Sequence, residues 1–594
     1  MITSELPTGL EEVDVIIVGG GTAGLIVAAR LADTEPQSTI LVIEGGSGNY
    51  RAPTIVHPAL YRANFAQRNT SLMYVSAREE NVADRSIVVA AGSVLGGGSS
   101  VNGAIYARAQ QTDYDAWATK GWSTDELIPF LKKFENFNAQ TRGDTHGYDG
   151  PTAVSDGRYS CPLLKDDFVS AVEQSGLPQV EDLQDLVSNN AVSAAHRYVS
   201  AETGERQNTA LTYLHPRLQS GVTKNLIVLV QSQVTKILID DTKRASGVEF
   251  RANPVFGSTT SSSLRTTIKS RRLVVVSAGT LGTPQILERS GIGGSDILTQ
   301  AEIPVTADLP GVGNGYQDHH MVLGTYNSTL TPAQSVDSVI NGALNTTELL
   351  ATNANILSWN GVDASSKIRP SQEDVAGFKP QLRKVWDQSF ANVPNKPLGS
   401  LVLVAGVLGD PTAYPKGHQY FTIGCYSPYP RSRGHVHITG PEMGDSLDFK
   451  TGFLSDEDGA DVQTLAWLYK KQREVAMKMK FQLGPISPEP LFAKGLAVAD
   501  GKIQYSPDDE LANEQWVREN VNTAYHPMGT CKMGPIEEKG VVDSSLSVYG
   551  IKGLKVADMS IAPENVSANT MSTALLIGEK AADIFIKELG WGHA

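Results

Sequence analysis

The feature that most constrains the fold is a strand, a glycine-rich turn, a helix and a second strand within the first 44 residues. Residues 13–18 read VDVIIV, a β-branched run of the length of a buried strand, and lead into GGGTAG. The helical spacing of LIVAARLAD follows, and a second apolar run over 39–43 ends at Glu44. This order is typical of a dinucleotide-binding βαβ unit, and it does not distinguish NAD from FAD.

Each glycine of the turn has a physical role in such a unit. The first allows the tight turn, Gly21 lets the backbone approach a pyrophosphate, and Gly24 lets helix and strand pack closely. Glu44 lies where an acidic side chain bonds a ribose hydroxyl. The alternative is a glycine-rich turn in an unrelated fold. We expect the phosphates at the helix N-terminus, and the predicted contacts are Gly19, Gly21, Thr22, Ala23, Gly24 and Glu44.

Charge and composition exclude several classes of partner. The chain has 50 Lys and Arg against 64 Asp and Glu, a net charge of −14, which disfavours nucleic acid and anionic membranes. The densest apolar stretch, 401–408, is too short for a membrane span and predicts a buried strand. The N-terminus lacks a basic segment before an apolar one, so we expect no secretory signal and an intracellular protein, cytoplasmic or peroxisomal.

Cysteines and histidines do not predict a metal site. The three cysteines are far apart and show no CxxC spacing. His319–His320 is one histidine pair, and alternation places His435 and His437 on one strand face, but no third ligand is near them in sequence. We therefore expect no metal.

Further blocks along the chain point to one family. They are GSVLGGGSSVNG over 92–103, SAGTLGTP over 277–284, LPGVG with QDH over 309–319, HPMGT over 526–530 and VAD over 556–558. Together they resemble the glucose-methanol-choline (GMC) oxidoreductases, which are FAD-dependent enzymes. Within the family the chain most resembles the alcohol (methanol) oxidase branch, mainly through residues 553–584 and also through 204–216 and 95–102.

The resemblance implies an α/β fold with a Rossmann-like FAD-binding domain and a discontinuous α+β substrate domain, an antiparallel sheet backed by helices. The FAD-binding domain is expected over 10–160, 200–322 and 518–590, and the substrate-binding domain over 161–199 and 323–517. Alternating segments such as 434–438 predict antiparallel strands, and 462–482 predicts a helix.

Alcohol oxidation needs a neutral general base, because an alkoxide is a far better hydride donor than an alcohol. Histidine suits this role because its unperturbed pKa is about 6.5. His526, in HPMGT, matches the family block that holds the base. Asn569 matches the second position of the catalytic pair, where its amide can bond the substrate oxygen but cannot take its proton. The alternative for Asn569 is a cap for the helix that begins near Met571.

The remaining predicted cofactor contacts follow from the other blocks. Backbone N–H groups around residues 95–103 are expected to contact the diphosphate and the ring. Asp558 is expected near the pyrophosphate, with a neighbouring N–H from Ala557; the alternative is a structural cap. Val101 replaces the histidine that some relatives use to attach FAD, which predicts a dissociable cofactor. The predicted set is Leu95, Gly97, Gly98, Ser99, Asn102, Gly103, Val234, Ala278, Ala557, Asp558, Thr570 and Met571.

The resemblance implies oxidation of a primary alcohol to an aldehyde, with hydride transfer to flavin N5 and reduction of O₂ to H₂O₂. The expected partners are a small alcohol and O₂, and a homo-oligomer is possible for this branch. Gly103 and Tyr525 stand where methanol-acting relatives have a bulky aromatic residue and a tryptophan, which favours a larger alcohol. Alternatives are a dehydrogenase with a quinone or other acceptor, a non-redox hydroxynitrile lyase of the same fold, and a flavin-binding protein without activity.

Overall fold

A mixed eight-stranded sheet forms the first half of the fold. The computed structural model describes residues 1–139, 143–221, 223–256, 264–415, 417–486, 497–499 and 502–592. The spatial order of the strands is Ile2–Thr3, Leu226–Leu229, Ile40–Ile43, Glu12–Val18, Arg265–Val276, Ala245–Ala252 and Ser232–Ile239, with Leu554–Val556 beside Arg265–Val276. Ala245–Ala252 pairs antiparallel with both of its neighbours, Arg265–Val276 and Ser232–Ile239, and all other pairs are parallel.

The parallel part of this sheet explains the continuous apolar runs at the start of the sequence. Residues 13–18 and 40–43 are buried throughout, as strands covered on both faces must be. The helices Thr22–Thr34 and Met571–Leu589 pack against each other over this sheet. A side chain at Gly578 would place its Cβ 2.9 Å from Ile26 Cβ, so glycine permits the close helix crossing. The Rossmann-like prediction is confirmed.

An antiparallel seven-stranded sheet forms the second half. Its order is Gln482–Pro485, His320–Ser328, Gln419–Ser427, Gly399–Val404, Val362–Ile368 and Ala191–Ala194, with Asn522–Thr523 also paired to His320–Ser328. The helix Ala460–Ala476 packs on this sheet. The helix predicted over 462–482 therefore ends early, because residues 482–485 pair with His320–Ser328 instead. The predicted domain limits stay predictions. The strand His320–Ser328 spans the predicted limit at residue 322.

Shorter elements connect and cover the two sheets. Smaller sheets pair Ser71–Val75 with Val88–Gly92, Glu135–Phe137 with Thr152–Val154, Ile292–Gly293 with Ala307–Asp308, Ala497–Ala499 with Lys502–Gln504, and Gly434–Ile438 with both Asn314–Tyr316 and Leu447–Lys450. The other helices are Pro53–Val56, Gly98–Val101, Gln111–Asp115, Thr124–Phe134, Pro162–Glu173, His215–Ser220, Gly279–Arg289, Ser295–Gln300, Thr346–Thr352, Gln372–Ala376, Pro380–Ser389 and Pro507–Asn520. Within the described ranges, every helix is too short or too polar to cross a membrane.

Candidate active site

A cavity of about 1170 Å³ is lined by residues of both large sheets, and it brings most of the predicted site together. His526 and Asn569 both line it. The predicted cofactor contacts that line it are Gly19, Gly21, Thr22, Ala23, Glu44, Gly97, Gly98, Ser99, Asn102, Gly103, Val234, Ala278, Asp558, Thr570 and Met571. Gly24, Leu95 and Ala557 do not line it.

The three residues outside the lining serve the surrounding structure. A Cβ at Gly24 would lie 2.3 Å from Gly19 O, so this glycine permits the close approach of helix and turn. The N–H of Leu95 donates to Ser47 O at 3.0 Å, and that of Ala557 donates to Val276 O at 2.9 Å. Backbone pairing already uses these two N–H groups, and the cofactor contacts of Leu95 and Ala557 stay predictions.

The glycine-rich turn presents free backbone to the cavity. Gly21 is the N-cap of the helix Thr22–Thr34, and no side chain of the described residues caps this N-terminus. A Cβ at Gly21 would meet only Ser277 O, at 3.8 Å, and one at Gly98 would meet nothing within 4 Å. Unpaired N–H groups at a helix N-terminus favour an anion. The cavity therefore fits the diphosphate of a dinucleotide at this end.

Glu44 fixes the same turn through both carboxylate oxygens. Oε2 accepts the Gly20 N–H and Oε1 accepts the Gly46 N–H, each at 2.7 Å. Burial raises the pKa of Glu44, and these two hydrogen bonds act against that rise. Each oxygen keeps a second lone pair, so a ribose hydroxyl at the cavity wall can still donate to it.

Asp558 acts as a structural cap and also lines the cavity. Its Oδ2 accepts the Gly279 N–H at 2.9 Å and the Thr283 hydroxyl at 2.6 Å, while Oδ1 accepts the Ser560 N–H at 2.8 Å. It therefore caps the turn that follows it and fixes the start of the helix Gly279–Arg289. Burial raises the pKa of this carboxyl.

His526 lies between His319 and Asn569. Its Nδ1 is 2.8 Å from His319 Nδ1, and its Nε2 is 3.1 Å from Asn569 Nδ2. Burial lowers the pKa of His526 well below its usual value, and His319 lowers it further. Burial also lowers the pKa of His319, to about 4. Both imidazoles are therefore neutral near neutral pH.

The hydrogen-bond chain assigns the tautomer of each neutral ring. His319 Nε2 lies 2.8 Å from the carbonyl oxygen of Val566, which can only accept, so Nε2 carries the His319 proton. His319 Nδ1 must then accept, and His526 Nδ1 must donate to it. The lone pair of His526 is left on Nε2, beside the Asn569 amide and at the cavity wall. In the structure this lone pair accepts an N–H of the Asn569 amide, so a substrate hydroxyl has to replace that donor before Nε2 can take its proton.

Asn569 does not cap the helix that follows it. The N-cap of the helix Met571–Leu589 is Thr570, and the structure has no side-chain capping bond there. The Asn569 amide instead contacts His526, so the capping alternative is not supported. The N-terminus of this long helix, at Thr570 and Met571, faces the cavity and favours negative charge there.

Asp318 holds the backbones of both histidines. Its Oδ1 accepts the N–H of His319 at 2.7 Å and that of His526 at 3.0 Å, and Tyr316 donates its hydroxyl to Oδ2 at 3.0 Å. Burial raises the pKa of Asp318 to about 6. Sequence reasoning used residues 317–319 only as a family block and missed this role. The family block at 317–319 is the sequence signal that could have indicated this role of Asp318.

The far wall of the cavity was also missed from the sequence. It comes from strands of the antiparallel sheet, far apart in the chain, and includes Met321, Leu323, Val402 and Tyr426. Apolar strand residues carry no motif that separates a core position from a cavity position.

The His435 and His437 pair considered for metal binding has other partners. His437 Nδ1 lies 2.6 Å from Glu288 Oε1, and His435 Nε2 lies 3.2 Å from Asp448 Oδ1. Across the residues that the structure describes, no group of three or more His, Cys, Asp or Glu side chains could hold a metal ion.

The fold and the cavity define a dinucleotide-dependent oxidoreductase, and comparison with known proteins identifies the family. The GMC oxidoreductase family profile matches residues 13–321 and 430–578, and the chain belongs to this family. Alcohol oxidases of Candida boidinii and Pichia angusta are 33% and 34% identical to it, over 98% of this chain and 96% of theirs. The predictions of the family, its alcohol oxidase branch and the FAD cofactor are confirmed.

Solved structures agree on the fold. A variant of formate oxidase from Aspergillus oryzae RIB40 superposes with a TM-score of 0.84 at 21% identity, covering 98% of this chain and 99% of that one. The predicted fold class, a Rossmann-like FAD-binding part with an α+β substrate part, is therefore confirmed.

Proposed function

We propose that the protein oxidises a primary alcohol to an aldehyde with FAD and reduces O₂ to H₂O₂. The observation that carries the proposal is the lone pair of His526 Nε2 at the cavity wall, next to the Asn569 amide. FAD, when bound, supplies the hydride acceptor at N5 and passes the electrons to dioxygen. The relationship to alcohol oxidases supports the same chemistry.

The chain's own part in the reaction is to remove the hydroxyl proton and hold the oxygen. The alcohol hydroxyl donates to His526 Nε2, while an N–H of Asn569 donates to the alcohol oxygen. As the proton moves to Nε2, His526 Nδ1–H keeps its bond to His319, so no other proton has to move. The Asn569 amide stabilises the developing negative charge on the oxygen.

Two groups of lining residues suit the two halves of FAD. The turn from Gly19 to Ala23 and the carboxylate of Glu44 would hold the adenosine diphosphate half, with Val234 beside it. Residues 97–103, Ala278, Thr570 and Met571 would contact the flavin half. Val101 has no nucleophilic atom, which supports non-covalent binding. Acid precipitation of the holoenzyme is expected to release yellow FAD into the supernatant, and a yellow pellet contradicts non-covalent binding.

The space around Gly103 supports an alcohol larger than methanol. A Cβ there would lie 3.7 Å from Ile105 and 3.8 Å from Tyr61, which are ordinary contacts, so the cavity has room that a bulky side chain would fill. Tyr525, which precedes the base, lines the same cavity. The proposal therefore includes a primary alcohol larger than methanol as substrate.

The proposal is tested with purified holoenzyme and a panel of primary alcohols. In air we expect peroxide in proportion to the alcohol consumed, and under anaerobic conditions we expect the alcohol to bleach the flavin. Bleaching with turnover only in the presence of a dye or quinone identifies a dehydrogenase instead. Unbleached flavin with every alcohol excludes alcohol oxidation and leaves a lyase or an inactive flavin protein.

The proposal extends to the setting of the enzyme. It is an intracellular enzyme, cytoplasmic or peroxisomal, that acts on a small alcohol and O₂ without nucleic acid or membrane partners, and it forms a homo-oligomer. The net charge of −14 supports the exclusion of nucleic acid and anionic lipid. Size-exclusion chromatography with light scattering measures the oligomeric state, and a 63.6 kDa monomer contradicts the proposed homo-oligomer.

A further inference from the structure

One face of the antiparallel sheet forms the wall of the cavity that lies opposite the glycine loops. Alternate residues of a strand point to opposite faces, and the register pairs Met321 with Tyr426 and Leu323 with Gly424. Val402 also pairs with Gly424. All five line the cavity. Because the glycine loops take the dinucleotide, this face is left for the part of the substrate that does not react.

The opposite face of the same strands belongs to the hydrophobic core. Val322, Leu401 and Ile423 alternate with the cavity residues and pack in the core that includes residues of the helix Ala460–Ala476. Met321, Leu323 and Val402 are only half-buried, because the cavity lies over part of each side chain, and Val402 also packs against Val362 and Val404, which line the same cavity. The wall is thus apolar surface that the chain itself does not cover.

Gly424 deepens this wall at its centre. A Cβ at this position would lie 3.4 Å from Leu323 Cδ2 and 4.0 Å from Leu408 Cδ2, which are ordinary contacts, so the absence of a side chain leaves a shallow recess beside these leucines. The ring of Tyr426 lies next to it and stacks on His319, with ring centroids 5.0 Å apart. The recess therefore begins close to the base.

The mouth of the cavity is apolar as well. Four of its lining side chains are large, hydrophobic and exposed to solvent. Exposed apolar patches of this kind mark ligand-binding grooves. They are Phe65, Met73, Val88 and Tyr525, at 36%, 41%, 43% and 40% exposure. The rings of Phe65 and Tyr525 pack with centroids 5.2 Å apart. Apolar surface is therefore also present where the cavity opens to solvent.

The polar side chains of the lining are mostly engaged with the protein. Thr523 donates its hydroxyl to Asp318, and Asn64 donates its amide to Thr54 O at 2.8 Å. Arg62 Nη1 is 2.6 Å from Asp337 Oδ1, which neutralises its charge. Arg62 Nε and Nη2 have no partner among the described residues, so an alcohol that bears a carboxylate is the rival ligand.

We propose that the substrate is an apolar primary alcohol, alkyl or aryl, whose tail lies against the Leu323–Gly424–Val402 wall. The inference rests on the proposed function and narrows its substrate class. A second hydroxyl on the tail would lose its water and find no partner on this wall, which disfavours polyols. Each methylene that the wall covers strengthens transition-state binding by about fourfold in kcat/KM.

The first test compares alcohols of matched length on the holoenzyme. We expect kcat/KM for 1-hexanol to exceed that for ethanol, and to exceed that for 1,6-hexanediol by at least ~10-fold. Benzyl alcohol tells an aryl site from an alkyl site. Equal rates for the diol overturn the inference, and a preference for 6-hydroxyhexanoate replaces it with an anion site at Arg62.

The second test fills the recess. Gly424→Leu is expected to lower kcat/KM for 1-hexanol and benzyl alcohol by at least ~10-fold more than it lowers kcat/KM for ethanol. Gly424→Ala, whose Cβ fits without strain, checks that the strand tolerates a side chain. Ile423→Leu, on the opposite face of the same strand, is the matched control. It should not change kcat/KM for 1-hexanol or benzyl alcohol relative to ethanol. Equal losses for all alcohols in Gly424→Leu contradict a tail site at this wall.

A binding measurement separates failure of this inference from failure of the proposed function. The tertiary alcohol 2-methyl-2-heptanol has no hydrogen on its carbinol carbon and cannot be oxidised. We expect it to perturb the flavin absorbance of the holoenzyme, and to do so at higher concentrations in Gly424→Leu. If no alcohol bleaches the flavin but this ligand binds and is excluded by Gly424→Leu, the proposed function fails and the apolar site stands. If it does not bind, the apolar site falls.

Discussion

His319 Nδ1 lies 2.8 Å from His526 Nδ1, in a chain that ends on the carbonyl oxygen of Val566. Because that carbonyl can only accept, the direction of every bond in the chain is set, and the lone pair of His526 faces the cavity. A histidine that lines no part of the cavity thereby determines which nitrogen of its neighbour is basic. Such control of a tautomer by a bond to the other ring nitrogen is a general property of histidine.

His319→Leu removes the acceptor for His526 Nδ1–H. We expect anaerobic flavin reduction to slow by ~10- to 100-fold, because the ring is no longer held in the tautomer with a basic Nε2. His319 also contributes to the lowered pKa of His526, so the acid limb of the pH–rate profile should move to higher pH. Stopped-flow reduction across pH gives both quantities.

His320, the residue after His319, provides a matched control. His320 neither contacts His526 nor lines the cavity, and His320→Leu should reduce flavin within ~3-fold of the wild-type rate. If His319→Leu matches that control in rate and pH profile, His319 has no positioning role.

His526→Ala removes the proposed base itself. We expect anaerobic flavin reduction by the best alcohol to slow by at least ~100-fold, which is within the range of general-base contributions. FAD content should stay near one per chain, because the predicted cofactor contacts do not depend on this side chain. Near-normal reduction in a variant with full FAD would show that another group takes the proton.

Asn569→Leu tests the amide as a donor to the substrate oxygen. The variant keeps the approximate volume but has no N–H, so we expect reduction to slow by ~10- to 100-fold, the effect of one hydrogen bond to a developing charge. Since Thr570 is the N-cap of the following helix, thermal stability should change little. A large loss of stability with unchanged reduction would indicate a structural role instead.

The predictions for the nucleotide end of the site rest on signals that are local in the sequence. The turn from Gly19 to Gly24 and the acid at Glu44 follow one another within a single βαβ unit, where spacing alone fixes the geometry. Local signals do not show that the N–H of Ala557 continues the pairing of the strand Leu554–Val556. A residue at a strand end has the same neighbours in sequence whether its N–H is free or paired.

The substrate end could not be predicted in the same way. Leu323, Val402 and Gly424 meet only because three strands pair in one register, and a shift of one residue would bury them and expose the core face. The His319–His526 contact likewise joins two segments 207 residues apart. Such contacts depend on the tertiary fold, and no spacing rule in the sequence reports them.

His320 gives a pH-dependent contribution to stability that can be isolated. Its ring is fully buried against Phe453, with centroids 4.2 Å apart, and its Nδ1 has no partner among the described residues. Burial, with a smaller contribution from the charge of Arg433, lowers its pKa to about 3. The unfolded chain takes up a proton below pH ~6.5 and the native chain does not, so stability is complete above pH 6.5 and is lost as the pH falls toward 3. At pH 5 the loss is about 2 kcal/mol.

Urea unfolding at pH 7.5 and pH 5 should show that His320→Leu loses about 2 kcal/mol less of its free energy of unfolding than the wild type. His319, His526 and Asp318 titrate in both proteins and cancel in the difference. An equal loss in both proteins means that His320 is protonated in the native state at pH 5.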